Sequence, residues 1–173
     1  MKLNESYNLD DFHKTFTKSD LSMMYSRIAD AYSYFQFYEN SYLNYLNSLN
    51  FSPENIDYML KTAVIEIKLS KFEDAKDRLY QIIENNPYQE KSYYNLGLIY
   101  YNGRGVPQDY REAVKWYRMS AEQEYQDAQL NLGFMYLTGA GVRQDKVYAH
   151  MWWSIAASNG SDVGARNRDR VVK

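Results

Sequence analysis

Between Ile56 and Leu69, apolar residues fall at Met59, Leu60, Ala63, Val64 and Ile67, the spacing that lines one face of an α-helix. A second stripe at Phe72, Ala75, Leu79, Ile82 and Ile83 predicts a partner helix over residues 71–84. Between the two, Ser70-Lys-Phe-Glu73 reads as a capping box, with Ser70 accepting from the backbone N–H three residues on and Glu73 reaching back. Pro87, preceded by Asn86, closes the segment, because the residue before a proline is pushed out of helical geometry. Small Ala63 and Ala75 predict that the two helices cross closely.

The same helix–turn–helix pattern occurs upstream at a step of 34 residues. Ala29 precedes Ala63 by that step, Tyr38 precedes Phe72, Ser41 precedes Ala75, Tyr45 precedes Leu79, and Pro53 precedes Pro87. Two units follow, over 22–55 and 56–89. The first is expected to be less regular, because its second helix carries polar Asn40, Asn44 and Asn47.

Beyond residue 90 the step lengthens to 36. All eight glycines lie at or beyond Gly97, and six of them pair at this step: Gly97 with Gly133, Gly103 with Gly139, Gly105 with Gly141. Asn95-Leu96 returns as Asn131-Leu132, Gln108 as Gln144, Asp109 as Asp145, Ala113 as Ala149, and Trp116 as Trp152. A fixed period of this size marks stacked repeats that bury one another's faces, and such arrays typically offer a surface rather than a reaction. The two added residues fall in the turn Asn102-Gly-Arg-Gly-Val-Pro-Gln-Asp109. There Gly103 and Gly105 are expected at positive φ, and Asp109 is expected to cap the next helix with Glu112 completing a capping box. In the second turn Tyr148 replaces that glutamate, which leaves Asp145 to cap alone. Gly97 and Gly133 are expected at close helix contacts, and Trp116 and Trp152 between neighbouring repeats.

The 34-residue units resemble the tetratricopeptide repeat in Ala63, Phe72, Ala75, Leu79 and Pro87. The 36-residue units, over 92–127 and 128–163, are similar to Sel1-like repeats. They share the N-L-G-x-x-Y start at 95–100 and 131–136, the G-x-G-V-x-x-D turn at 103–109 and 139–145, and the A-x-x-W second helix at 113–116 and 149–152. Departures are Ser92, Ser120 and Glu124, where the pattern has Ala, Ala and Gly. The resemblance implies an all-α fold, a right-handed α-solenoid of antiparallel helix pairs in the tetratricopeptide and Sel1-like style. Residues 1–21 are then an N-terminal segment and cap, 22–89 two tetratricopeptide-like repeats, 90–163 two Sel1-like repeats, and 164–173 the start of a C-terminal capping helix.

It also implies that a protein or peptide partner lies in a concave groove lined by the first helix of each unit. The family's groove positions fall on Ser26, Asp30, Ser33 and Tyr34; on Leu60, Val64, Ile67 and Lys68; on Tyr94, Leu98, Tyr101 and Asn102; and on Leu130, Phe134, Leu137 and Thr138. This lining is apolar from the second unit onward and suits an amphipathic helix. Of these residues only Lys68 is cationic, so a clamp on peptide carboxylates is not expected there. The N-terminal segment or a second copy, giving a homodimer, are the other occupants.

Composition narrows the chemistry. The net charge is −2, with −4 over 1–89 and +2 over 90–173, so no nucleic-acid partner is expected. The absence of cysteine excludes disulfides, thiol catalysis and thiolate metal sites. The start MKLNESYNLDDF has no apolar leader core and no run approaches 18 apolar residues, so no membrane span and a cytoplasmic location are expected. His13 and His150 stand far apart, which points to no metal and no cofactor. Glu73, Asp74 and Asp77 read as a solvated helix face, and Arg166, Arg168, Arg170 and Lys173 as a solvated helix end. No nucleophile set or phosphate loop is visible, so no catalytic residues are expected. Sel1-like relatives that act as β-lactam hydrolases carry a cysteine pair in each repeat, and this chain has none. The reading is a non-catalytic protein–protein interaction module: an adaptor, a regulator or a bacterial immunity protein that blocks a toxin. Its alternatives are a self-associating scaffold, or a hydrolase acting on cell-wall or peptide substrates.

Overall fold

A computed structural model describes residues 16–171. Among these the chain is all-helical, an α-helical repeat solenoid. It divides into two compact bodies, one ending at Leu69 and the other beginning at Ser70. The first holds α1 (Lys18–Tyr34), α2 (Tyr38–Phe51) and α3 (Ile56–Lys68). The second holds α4 (Phe72–Asn85), α5 (Glu90–Asn102), α6 (Tyr110–Ala121), α7 (Gln126–Thr138), α8 (Lys146–Ser158) and α9 (Asp162–Val171).

In the N-terminal body, α1 packs on α2 and α2 on α3. Helix α1 starts ahead of residue 22 because Thr17 and Asp20 form a capping box: Thr17 Oγ1 accepts from the Asp20 N–H at 3.1 Å, and the Thr17 N–H donates to Asp20 Oδ2 at 3.0 Å. The Thr17 hydroxyl, which donates to Asp20 Oδ2 at 2.6 Å, and then the Thr17 N–H hold the Asp20 carboxyl below the ordinary carboxylate range. The expectations for His13 and the rest of 1–15, and for 172–173, lie outside the described residues. Ala29, Tyr45 and Ile65 form one cluster of the core, to which buried Leu21, Leu49, Met59, Leu60 and Ala63 add. The polar character of the first unit is accommodated by hydrogen bonding. Ser22 Oγ donates to the Ser48 carbonyl at 2.8 Å and Ser41 Oγ to the Ala29 carbonyl at 2.9 Å, both buried between helices. The Tyr45 hydroxyl donates to Asp30 Oδ1 at 2.5 Å, and Lys61 Nζ reaches Asp30 at 3.2 Å and Asp57 at 3.3 Å, joining all three helices.

The expected capping box at Ser70 does not form. Ser70 takes a left-handed φ of 61°, whereas an N-cap needs extended backbone. Helix α4 instead begins after Lys71 without a side-chain cap, and Glu73 pairs with Lys76 at 2.5 Å.

In the C-terminal body, each helix packs on the next, from α4 to α9. The core is Ala113, Val114, Tyr117, Ala121, Ala128, Leu132 and Met135. Gly103 ends α5 in the left-handed conformation at φ 65°, and Gly139 ends α7 at φ 78°. Both turns then run the same course. Gln108 Nε2 donates to the Tyr101 carbonyl and Gln144 Nε2 to the Leu137 carbonyl, each at 2.8 Å, which gives the recurring glutamine its role. Asp109 Oδ1 accepts from the N–H groups of Arg111 at 2.8 Å and Glu112 at 3.1 Å; Asp145 Oδ1 does the same for Val147 and Tyr148. Glu112 does not complete a box. The Asp109 N–H already donates to the Tyr100 carbonyl at 3.0 Å, so Glu112 turns to Lys115 at 3.3 Å.

The glycine pair Gly97 and Gly133 sits at the tightest helix contacts. A Cβ on Gly97 would lie 2.5 Å from the Tyr117 ring, and one on Gly133 2.5 Å from Nε1 of Trp153. Tyr117 and Trp153, one residue past the recurring tryptophans, are therefore the rings that fill these crossings. Trp116 lies between α4 of one unit and α5 of the next, the expected position between neighbouring repeats, with ring centroids 5.8 Å from Tyr80 and 6.1 Å from Tyr93. Trp152 packs partly buried against the core.

Candidate binding site

Tyr94, Leu98, Tyr101, Asn102 and Phe134, all expected groove residues, line one cavity of 380 Å³ together with Tyr117, Asn131 and Met135. Helix α5 supplies the first four, α6 the Tyr117 floor, and α7 the opposite wall. The side chains converge because Tyr94, Leu98, Tyr101 and Asn102 follow the three- and four-residue spacing of one helix face, while Gly97 between them lies against Tyr117 of α6. The wall is a chain of aromatic contacts: Tyr94 to Tyr125 at 5.0 Å, Tyr94 to Tyr117 at 5.8 Å, Tyr101 to Tyr117 at 6.4 Å, and Tyr101 to Tyr110 at 5.3 Å.

Burial raises the Tyr94 and Tyr117 phenols above their ordinary value, opposed in both by hydrogen bonding with Asn131. Tyr125 is pushed up to about 12, by burial first and then by Asp127. These hydroxyls therefore stay neutral across the physiological range, acting as hydrogen-bond donors and acceptors rather than as bases.

Phe134 and Leu137 also line a second cavity of 410 Å³ with Lys146, Trp153, Asn167, Arg170 and Val171. Phe134 is 46% exposed at the junction of the two cavities. Leu130 is half-buried and lines neither; its carbonyl accepts from Trp153 Nε1 at 3.1 Å. Thr138, the last residue of α7, donates its hydroxyl to the Phe134 carbonyl at 3.0 Å, and the remaining expected residues lie in the N-terminal body. Leu60 is buried at 8% exposure, part of the core there and closed to a partner. Val64 is half-buried, Tyr34 is exposed at the end of α1, and Lys68 Nζ lies 5.3 Å from the centroid of the Tyr38 ring. Tyr117, Asn131 and Met135 line the site without having been picked out from the sequence. The Asn95–Asn131 repeat was the one available signal for any of them.

No group of three or more His, Asp or Glu suited to hold a metal is present among the described residues. His150 faces a shallow pocket with Lys146, Val147 and Val171, none of them a carboxylate or hydroxyl. No helix of the described residues is long and apolar enough to cross a membrane.

The Sel1 repeat family matches residues 90–125 and 126–161, the two glycine-paired units just described. Among solved structures the chain is similar to a Sel1 repeat protein from Oxalobacter formigenes, at 28% identity and TM-score 0.59, over 63% of this chain and 44% of that one. It also shares its fold with c5321, a protective antigen of uropathogenic Escherichia coli described as displaying an SLR fold, at 24% identity and TM-score 0.71, over 90% of this chain and 33% of that one. A further neighbour is the Helicobacter pylori cysteine rich protein B, at 21% identity and TM-score 0.52, over 87% of this chain and 96% of that one. The chain thus spans less than half the length of the first two. No curated protein matches the sequence. Sel1 repeats commonly serve as protein-interaction folds, in line with the extended binding surfaces that stacked repeats build.

Proposed function

We propose that the C-terminal body is a non-catalytic binding module that holds an apolar segment of a protein partner along α5 and α7. The observation that supports this most is Phe134, a large apolar side chain left exposed where two cavities meet and flanked by tyrosines with neutral hydroxyls. An exposed apolar patch with a polar rim is the usual form of an interaction site. In this reading the module works as an adaptor, a regulator or an immunity protein in the cytoplasm, and it carries out no reaction of its own.

The test compares wild type with the Tyr94→Ala/Tyr101→Ala/Phe134→Ala variant in affinity capture from native lysate, read by mass spectrometry. A partner captured by wild type and lost from the triple variant, with helicity retained by circular dichroism, is the expected result. Phe134→Ala alone, at an exposed position, controls for loss of fold and is expected to weaken capture on its own. Unchanged capture by the triple variant would remove the groove from the account.

A further inference from the structure

The cavity beyond Phe134 has a chemistry the first one lacks. Its floor is apolar (Phe134, Leu137, Trp153 and Val171), and its rim carries two cations, Lys146 and Arg170. Among the described residues neither cation has an ion-pair partner. The neighbouring carboxylates are engaged elsewhere: Asp145 caps α8, and Asp169 pairs with Arg168 at 2.8 Å. The repeat comparison shows that this charge is particular to the second unit. Helix α6 opens Tyr110-Arg-Glu112, whereas α8 opens Lys146-Val-Tyr148. Helix α8 consequently has no acidic residue in its first turn, and a lysine stands where the helix dipole disfavours a cation. An uncompensated positive pair above an apolar floor is complementary to an anionic, apolar ligand.

We propose that this cleft takes an acidic peptide segment of the partner, with one large apolar side chain seated on Trp153 and Phe134 and its flanking carboxylates on Lys146 and Arg170. The assignment rests on the groove reading above and deepens it, because Phe134 lines both cavities.

The experiment uses the full chain labelled with nitrogen-15 and two probe peptides, Ac-Glu-Phe-Glu-Leu-NH2 and its counterpart with Gln for Glu, titrated to millimolar concentration. The Trp153 indole N–H signal reads the cleft. The acidic peptide is expected to shift that signal and to bind about tenfold more tightly than the Gln peptide, with the advantage falling as salt is raised. The Lys146→Gln/Arg170→Gln variant, altered at two exposed positions, is expected to bind both peptides equally and to keep the wild-type circular dichroism. Equal affinity of wild type for both peptides, a preference that survives in the double variant, or no shift at Trp153 would each overturn the proposal. A Trp153 signal that moves with protein concentration alone would assign the cleft to a second copy and overturn it as well. Tyr94→Ala/Tyr101→Ala, which alters only the first cavity, separates the two readings: if it leaves partner capture from lysate unchanged, the groove reading fails, while the acidic preference of the peptides still reports on Lys146 and Arg170.

Discussion

Gly141→Ala is expected to destabilise the C-terminal body by about 2–5 kcal/mol, the sum of a left-handed backbone penalty and an overpacking penalty. Gly141 has a φ of 72°, where a side chain is strained whatever the space around it. The space is also closed. A Cβ there would overlap the Tyr110 carbonyl at the start of α6, and that obstacle is main chain, which cannot swing aside as a flexible side chain can. This contact is how the second turn seats on the preceding repeat; at the paired Gly105, with φ 69°, an added Cβ would meet the Phe72 side chain instead, so what recurs at the 36-residue step is the left-handed backbone and the closed approach. Gly160→Ala provides the comparison. Gly160 also has a positive φ, 91°, but nothing lies within 4 Å of its added Cβ, so only the backbone term of about 1–2 kcal/mol applies. Urea unfolding followed by circular dichroism measures both. Equal losses for the two variants would show that the Tyr110 contact adds nothing.

The second large effect is expected at Trp153. The indole is 3% exposed, lies against Gly133, and donates to the Leu130 carbonyl at 3.1 Å. Trp153→Ala is expected to cost about 3–5 kcal/mol, the range for emptying a buried aromatic site. Gly133→Ala is expected to cost about 1–3 kcal/mol through overpacking, because its Cβ would stand 2.5 Å from the ring nitrogen. The two changes occupy the same space, so the double variant should lose less than the sum, as the methyl enters the volume the indole vacates. Gly97→Leu against Tyr117 follows the same logic with a larger side chain. Strict additivity at Gly133 and Trp153 would contradict this account of the crossing.

The repeat framework was legible in the sequence because it is carried by residues with few substitutes. Gly103, Asp109 and Gln108 recur as Gly139, Asp145 and Gln144: the glycines take the left-handed backbone that ends a helix, the aspartates accept from the first N–H groups of the next helix, and the glutamines donate to a carbonyl of the last turn. What was not legible depends on offsets of a single residue or on competition for one N–H. Trp116 and Trp152 stand out by composition, yet the rings on the crossing glycines are Tyr117 and Trp153, because a helix turns about 100° between adjacent positions. The boxes at Ser70 and Glu112 obeyed the pattern and still failed, one because Ser70 is left-handed and the other because the Asp109 N–H already has a partner. Tyr94, Leu98, Tyr101 and Phe134 line one cavity as the helical period requires, whereas Leu130 lines neither cavity and the same period placed Leu60 in a core. The cationic rim was hidden because Lys146 and Arg170 meet only through folding, 24 residues apart in sequence.

The central claim, that the partner is held along α5 and α7, is tested most directly by site-specific photo-crosslinking in cells. Benzoylphenylalanine is placed at Phe134, which lines both cavities, and separately at Met119, which is 40% exposed on α6 and lines neither. The account predicts a partner adduct from position 134 and none from position 119. An adduct from 119 with none from 134 would contradict it.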